Sequence, residues 1–172
     1  MKQLTKFVLC VIIFLVKKMK ISSEGIVNGK ILDKYGKRGR EKRFGMPTLS
    51  LPIQIEEFPK ETKSFVIVFD DPDSVSVCNF VWTHWLVANL HRPTLEENAS
   101  ETCFDFIQGR NSWHDNSYGG PCPPDKPHKY RLTVYALKED LNLRGDFSKE
   151  LLNQEMQGKI LESATIYGIY EN

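Results

Sequence analysis

The sequence predicts a mainly β domain of antiparallel strands, with one or two short helices packed at the edge near the C-terminus. Three observations predict it. Apolar, β-branched and aromatic runs recur between turn residues, nine prolines punctuate the chain into short elements, and helical apolar spacing occurs in one stretch close to the end. A length of 172 residues with 41% hydrophobic and 26% charged positions suits one globular domain. No internal repeat or low-complexity tract interrupts it.

In chain order, the leader MKQLTKFVLCVIIFLVKK (1–18) comes first. It has a basic start and a short apolar run, Phe7 to Val16, like the first two parts of a secretory signal. No small-x-small cleavage site follows, and the run is too short to span a bilayer, which takes a helix of about 20 residues. Two readings stand. Either this is an atypical leader that exports the chain or ties it to a membrane, or the start is over-long and a cytoplasmic domain, 19–172, begins at Met19. The four lysines of 1–18 take +4 from the overall +1, leaving −3 for 19–172, so the body is mildly acidic and argues against a nucleic-acid partner.

Residues 30 to 43 then form a basic loop, with seven basic and two acidic residues. It reads as a solvated surface first and as a docking surface for an acidic partner or anionic lipid second. Lys63 to Phe69 is a buried strand that Asp70-Asp71-Pro72-Asp73 turns away. Phe80 to Asn89 and Tyr130 to Leu137 are two more strands. The long connection 91–127 contains one short strand, Cys103 to Ile107, and connections of that length tend to carry function. A capping serine, Ser148, opens a helix over 148–156, and Ser163 to Tyr170 is a final strand. Cys78, Cys103 and Cys122 show neither CxxC spacing nor an even count, which suggests no zinc site and reads as free thiols, with one pairing left open.

Alternate residues of a strand share a face, so Phe80, Trp82, His84, Leu86 and Ala88 are expected together. The same parity aligns His128 with Tyr130 and sets Asp71 in phase with Phe65, Ile67 and Phe69. Three polar groups at strand ends could then converge on one cavity. Taken singly, each has a structural explanation: Asp71 as a turn former, His84 as a core histidine, His128 as a loop end.

Together and in this order, the segments DDPDS (70–74), WTHWLVANL (82–90), GRNSWHDNSYGGPCPP (109–124) and HKYRLTVYALK (128–138) resemble the phosphatidylethanolamine-binding protein family. That family includes the Raf kinase inhibitor proteins, and the resemblance is to its prokaryotic YbhB/YbcL-like branch. MKISS at 19–23 and ATIYGIY at 164–170 match more loosely. The resemblance implies a β-sandwich-like fold with a small pocket at one end for a phosphate-type anion or a phospholipid head group. It carries Asp71, His84, Gly120, Pro121, His128 and Tyr130 onto pocket positions and Trp82 onto an adjoining wall. It implies no cofactor, no metal and no catalytic reaction, and a regulatory role toward a kinase or protease partner.

The residues fit such a role. Gly119-Gly120 could bring backbone N–H groups to an anion, two histidines could donate to it, and Asp71 would orient a histidine rather than touch the ligand. The chain departs from the family pattern in the loop Lys34 to Pro47 and at Asn111-Ser112-Trp113, where relatives often have Asn-Asp. A hydrolase using the His/Asp pocket and a loop-mediated inhibitor independent of the pocket are the competing readings.

Overall fold

The computed structural model describes residues 17–172; residues 1–16, which hold most of the leader, lie outside that description. The early chain is laid out in short strands: β1 (Lys20–Ser22), β2 (Ile26–Val27), β3 (Lys30–Ile31), β4 (Lys42–Arg43), β5 (Met46–Pro47) and β6 (Ile53–Glu56). The apolar runs then give β7 (Ser64–Asp71) and β8 (Trp82–Leu90), with β9 (Thr94–Leu95) and β10 (Ile107–Gln108) between them and the long β11 (His128–Leu137) and β12 (Ile160–Tyr170). Three short α-helices, α1 (Val75–Cys78), α2 (Ala99–Thr102) and α3 (Lys149–Glu155), and two 3₁₀ turns, Asp33–Tyr35 and Pro72–Ser74, complete the elements of the described residues.

Seven strands form one sheet in the order β10-β8-β7-β11-β12-β3-β2, and three form a second, β1-β6-β9. Pairing is antiparallel throughout except between β12 and β3. The inner face of the large sheet meets the small one over a core of Phe65, Ile67, Phe69, Trp85, Leu132 and Val134 against Ile21, Leu51, Ile53 and Ile55. The outer face carries Val66, Val68, Leu86 and Ala88 under Leu141, Phe147, Leu152 and Met156. Because both faces are covered, β7 is buried along its whole length and reads as a continuous apolar run rather than an alternating one. Each large side chain so buried contributes about 1.5–3 kcal/mol.

Two expectations on element boundaries shift. The connection 91–127 holds α2 over residues 99–102, and its strand contracts to Ile107–Gln108, since Cys103 ends the helix. The turn after β7 winds on into α1, which Asn79 terminates in a left-handed conformation at φ 66°. Ser148 caps α3 as expected, its hydroxyl accepting from the Leu151 amide at 3.2 Å.

Candidate functional site

Strand β7 runs antiparallel to both β8 and β11, so the end of β7 and the beginnings of β8 and β11 meet at one end of the sheet. There Asp71, Trp82, His84, His128 and Tyr130 line a cavity of about 260 Å³, closed by Ser74, Val77 and Cys78 from the α1 turn and by Trp113, Cys122 and Pro124 from the long connection. Asp71 sits opposite Trp82 in the ladder. Adjacent Asp70 faces the other side of the sheet, where it accepts from Arg131 at 2.8 and 2.9 Å and from Lys149 at 2.6 Å.

Asp71 does two jobs at once. Its Oδ1 accepts from the Asp73 and Ser74 amides at 2.9 and 3.2 Å, capping the turn, and its Oδ2 lies 2.7 Å from His128 Nδ1. Both partners are buried. His128 Nε2 faces a second carboxylate, Asp125, at 3.0 Å. Carboxylates only accept, so the ring donates inward to Asp71 and, when doubly protonated, outward to Asp125 as well. Ser74 ties the same corner together: its hydroxyl lies 2.6 Å from the Asp71 carbonyl and 2.9 Å from that of Phe80, and accepts from the Trp82 amide at 2.8 Å.

His84 is held differently. Phe69 pairs with Trp85 and Asp70 with Thr83, which leaves His84 as the extra residue of a β-bulge. The bulge resets the parity of β8: Trp82 and His84 reach the cavity, but beyond them Trp85 and Val87 face the inner core while Leu86 and Ala88 turn to the outer one. The strict alternation expected from the sequence therefore breaks at His84. Its Nδ1–H donates to the Gly119 carbonyl at 2.5 Å, and Nε2 has no hydrogen-bond partner among the described residues. The ring stands edge-on to Tyr130 and Trp113, with centroids 5.1 and 5.2 Å away. Burial drives its pKa down to about 4, outweighing the Gly119 hydrogen bond and the charge of Asp71. Burial likewise pushes the Tyr130 hydroxyl far up, so it stays protonated. The carboxylate expected beside a histidine is thus bonded to His128 and not to His84.

Gly120 and Pro121 stand behind the wall rather than in it. The Gly119 and Gly120 amides donate at 2.8 Å to the His84 and Pro47 carbonyls, so neither is available to a ligand. A Cβ on Gly120 would collide with the Tyr35 carbonyl, and the Pro121 carbonyl accepts from Lys37 N at 2.8 Å. These glycines serve close packing. Among the described residues two buried side-chain donors have no partner, Arg43 Nε in the basic loop and Trp82 Nε1, the latter shielded from solvent.

Trp113, Val77, Cys78, Cys122 and Asp125 escaped the sequence reading. Trp113 had a signal: buried Asn111 accepts from the Trp113 and Asp115 amides at 2.8 and 3.1 Å and donates to the Ser117 carbonyl at 2.9 Å, an Asx-type fold that presents the indole. The basic loop is largely neutralised, with Lys30, Lys34, Arg38 and Arg43 paired to Glu171, Glu97, Asp33, and Glu101 with Asp115. Cys78, Cys103 and Cys122 are free. Among the described residues no three metal-ligating side chains gather, and no helix is long and apolar enough to cross a membrane.

A curled, mainly antiparallel sheet with a small aromatic-walled cavity at one end, holding one lone imidazole and one imidazole–carboxylate pair, defines a recognisable class of domain. The chain belongs to the phosphatidylethanolamine-binding protein family, whose model matches residues 22–171. It is 41% identical over 155 residues to the uncharacterized protein YxkA of Bacillus subtilis, covering 81% of this chain and 92% of the relative. Among solved structures, the homolog CT736 of Chlamydia trachomatis superposes with a TM-score of 0.79 at 34% identity, covering 90% of this chain and 98% of that one. YbcL of Escherichia coli gives 0.78 at 26% identity, over 91% and 99%.

Proposed function

We infer that the cavity binds a phosphate-type anion, free or as a phospholipid head group, without turning it over, and that the protein regulates a kinase or protease through surface contacts. The observation that carries the ligand reading is His84 Nε2, a ring nitrogen with no hydrogen-bond partner among the described residues, on one small aromatic cavity. A phosphate O–H, or a proton taken up on binding, would satisfy that nitrogen. Asp71 lines the cavity with both oxygens already engaged, Oδ1 by the turn amides and Oδ2 by His128, so its part in this reading is to hold His128. Binding is favoured over hydrolysis because both His128 nitrogens are engaged and no hydroxyl or thiol is bonded to either imidazole.

The test is an NMR titration of the histidine resonances with inorganic phosphate and with phosphoethanolamine. Movement of His84 that disappears in His84→Asn supports the reading, and a preference for phosphoethanolamine would identify the head group over the free ion. Turnover of a phosphoester panel, abolished in His128→Ala, would replace it with the hydrolase.

A further inference from the structure

The hairpin β4–β5 breaks a local rule away from the cavity. Lys42 pairs with Pro47 and Arg43 with Met46, so the turn has two central residues, Phe44 and Gly45. Both have positive φ, 49° and 87°. That is the signature of a type I′ turn, for which Asn-Gly is a favoured pair. Glycine adopts such a backbone freely, whereas the left-handed region is costly for a bulky L-residue. The Phe44 ring is also entirely in solvent, at 105% relative exposure, so no contact within the fold offsets either cost. Departures from local preference without compensation are expected where a function demands them.

Basic residues flank this ring in sequence, with Glu41 between two of them. Arg40 and Lys42 are exposed and have no ion-pair partner among the described residues. Lys37 reaches only neutral acceptors, the Pro123 carbonyl and the Asn172 side chain. Arg43 bonds Glu101 at 3.2 Å, which ties the hairpin to the segment bearing a second exposed ring, Phe104 at 92%.

We propose that the tip of this hairpin anchors the protein to a membrane surface containing anionic lipid. The ring enters the head-group layer while Arg40, Lys42 and Lys37 reach lipid phosphates, the division of labour seen in interfacial anchors. An acidic protein fits less well. The centre of a protein interface packs its aromatic anchors inside an apolar surround, and no other apolar residue of the hairpin is exposed. The proposal does not rest on the cavity, and either can fail alone.

The experiment uses the full chain and vesicles of phosphatidylcholine with and without phosphatidylserine. Phe44→Asn installs the preferred turn pair, so the variant folds with stability equal to or above the parent, while its partition onto phosphatidylserine vesicles falls about tenfold. Arg40→Gln and Lys42→Gln each reduce it about fivefold. Phe44→Trp reports position directly: quenching by brominated phosphatidylserine exceeds that of the parent, whatever else holds the chain to the vesicle. Unchanged partition of Phe44→Asn, equal binding to uncharged vesicles, or no extra quenching in Phe44→Trp overturns the proposal. Loss of stability in Phe44→Asn would overturn it too, by giving the ring a structural role. The loss of partition caused by Phe44→Asn should persist in a chain that also carries His84→Asn, which separates this outcome from failure of the cavity reading; a loss that vanishes in that background overturns the proposal.

Discussion

His84 carries a pH signature whose size follows from its burial. The ring is 2% exposed, and burial takes its pKa from 6.5 down to about 4. The unfolded chain keeps the ordinary imidazole value, so between those two pH values the unfolded state binds a proton that the native state refuses. The folded pKa is the lower one. The stabilising contribution of neutral His84 is therefore complete above about pH 6.5 and is lost as the pH falls toward 4. At 1.36 kcal/mol per pKa unit the interval amounts to about 3 kcal/mol. Carboxylates titrate over part of the same range, so the effect is read against a variant. His84→Asn keeps an amide donor near the Gly119 carbonyl and removes the titration. Urea unfolding at pH 7, 6, 5 and 4 should show the parent losing about 3 kcal/mol more than His84→Asn across the series. Parallel pH profiles for the two proteins would refute the claim that His84 is buried neutral.

Two further substitutions probe the walls. Asp71→Ala leaves the His128 N–H and two turn amides without their acceptor in a buried corner, and should cost about 3 kcal/mol by denaturation, with Asp71→Asn much milder. Gly120→Ala drives a methyl into the Tyr35 carbonyl and against Pro47, and should cost about 3 kcal/mol while leaving the cavity side chains chemically intact.

The sequence displayed the parts of this fold that rest on local pattern. Strands β7, β8, β11 and β12 were legible because β-branched and aromatic runs end at turn residues, and strand parity made it possible for Asp71, His84 and His128 to share one cavity, with Trp82 added as a wall by the family resemblance. Three features were not legible, each for a tertiary reason. The bulge at His84 depends on the register of β8 against β7, which no residue of β8 announces. The hydrogen bonds of Gly119 and Gly120 go to His84 and Pro47, so their apparent freedom to bind a ligand existed only before the chain folded. Which charges of residues 30–43 are neutralised was hidden as well, because the acids that engage Lys30, Lys34 and Arg43, namely Glu171, Glu97, and Glu101 with Asp115, arrive from distant stretches, leaving Arg40 and Lys42 without an ion-pair partner among the described residues. Phe44 stands apart: its mismatch with the turn could be recognised only once the two-residue loop was defined.

The central claim is that the cavity takes a phosphate-type anion at His84. The most direct measurement is the ¹⁵N shift of His84 Nε2 during titration with phosphoethanolamine at pH 6 to 7. In the free protein this nitrogen should report an unprotonated acceptor, and saturation should move it toward a hydrogen-bonded or protonated one, with no binding in His84→Asn. A nitrogen that stays unchanged at saturating ligand, or an equal affinity in His84→Asn, would contradict the account.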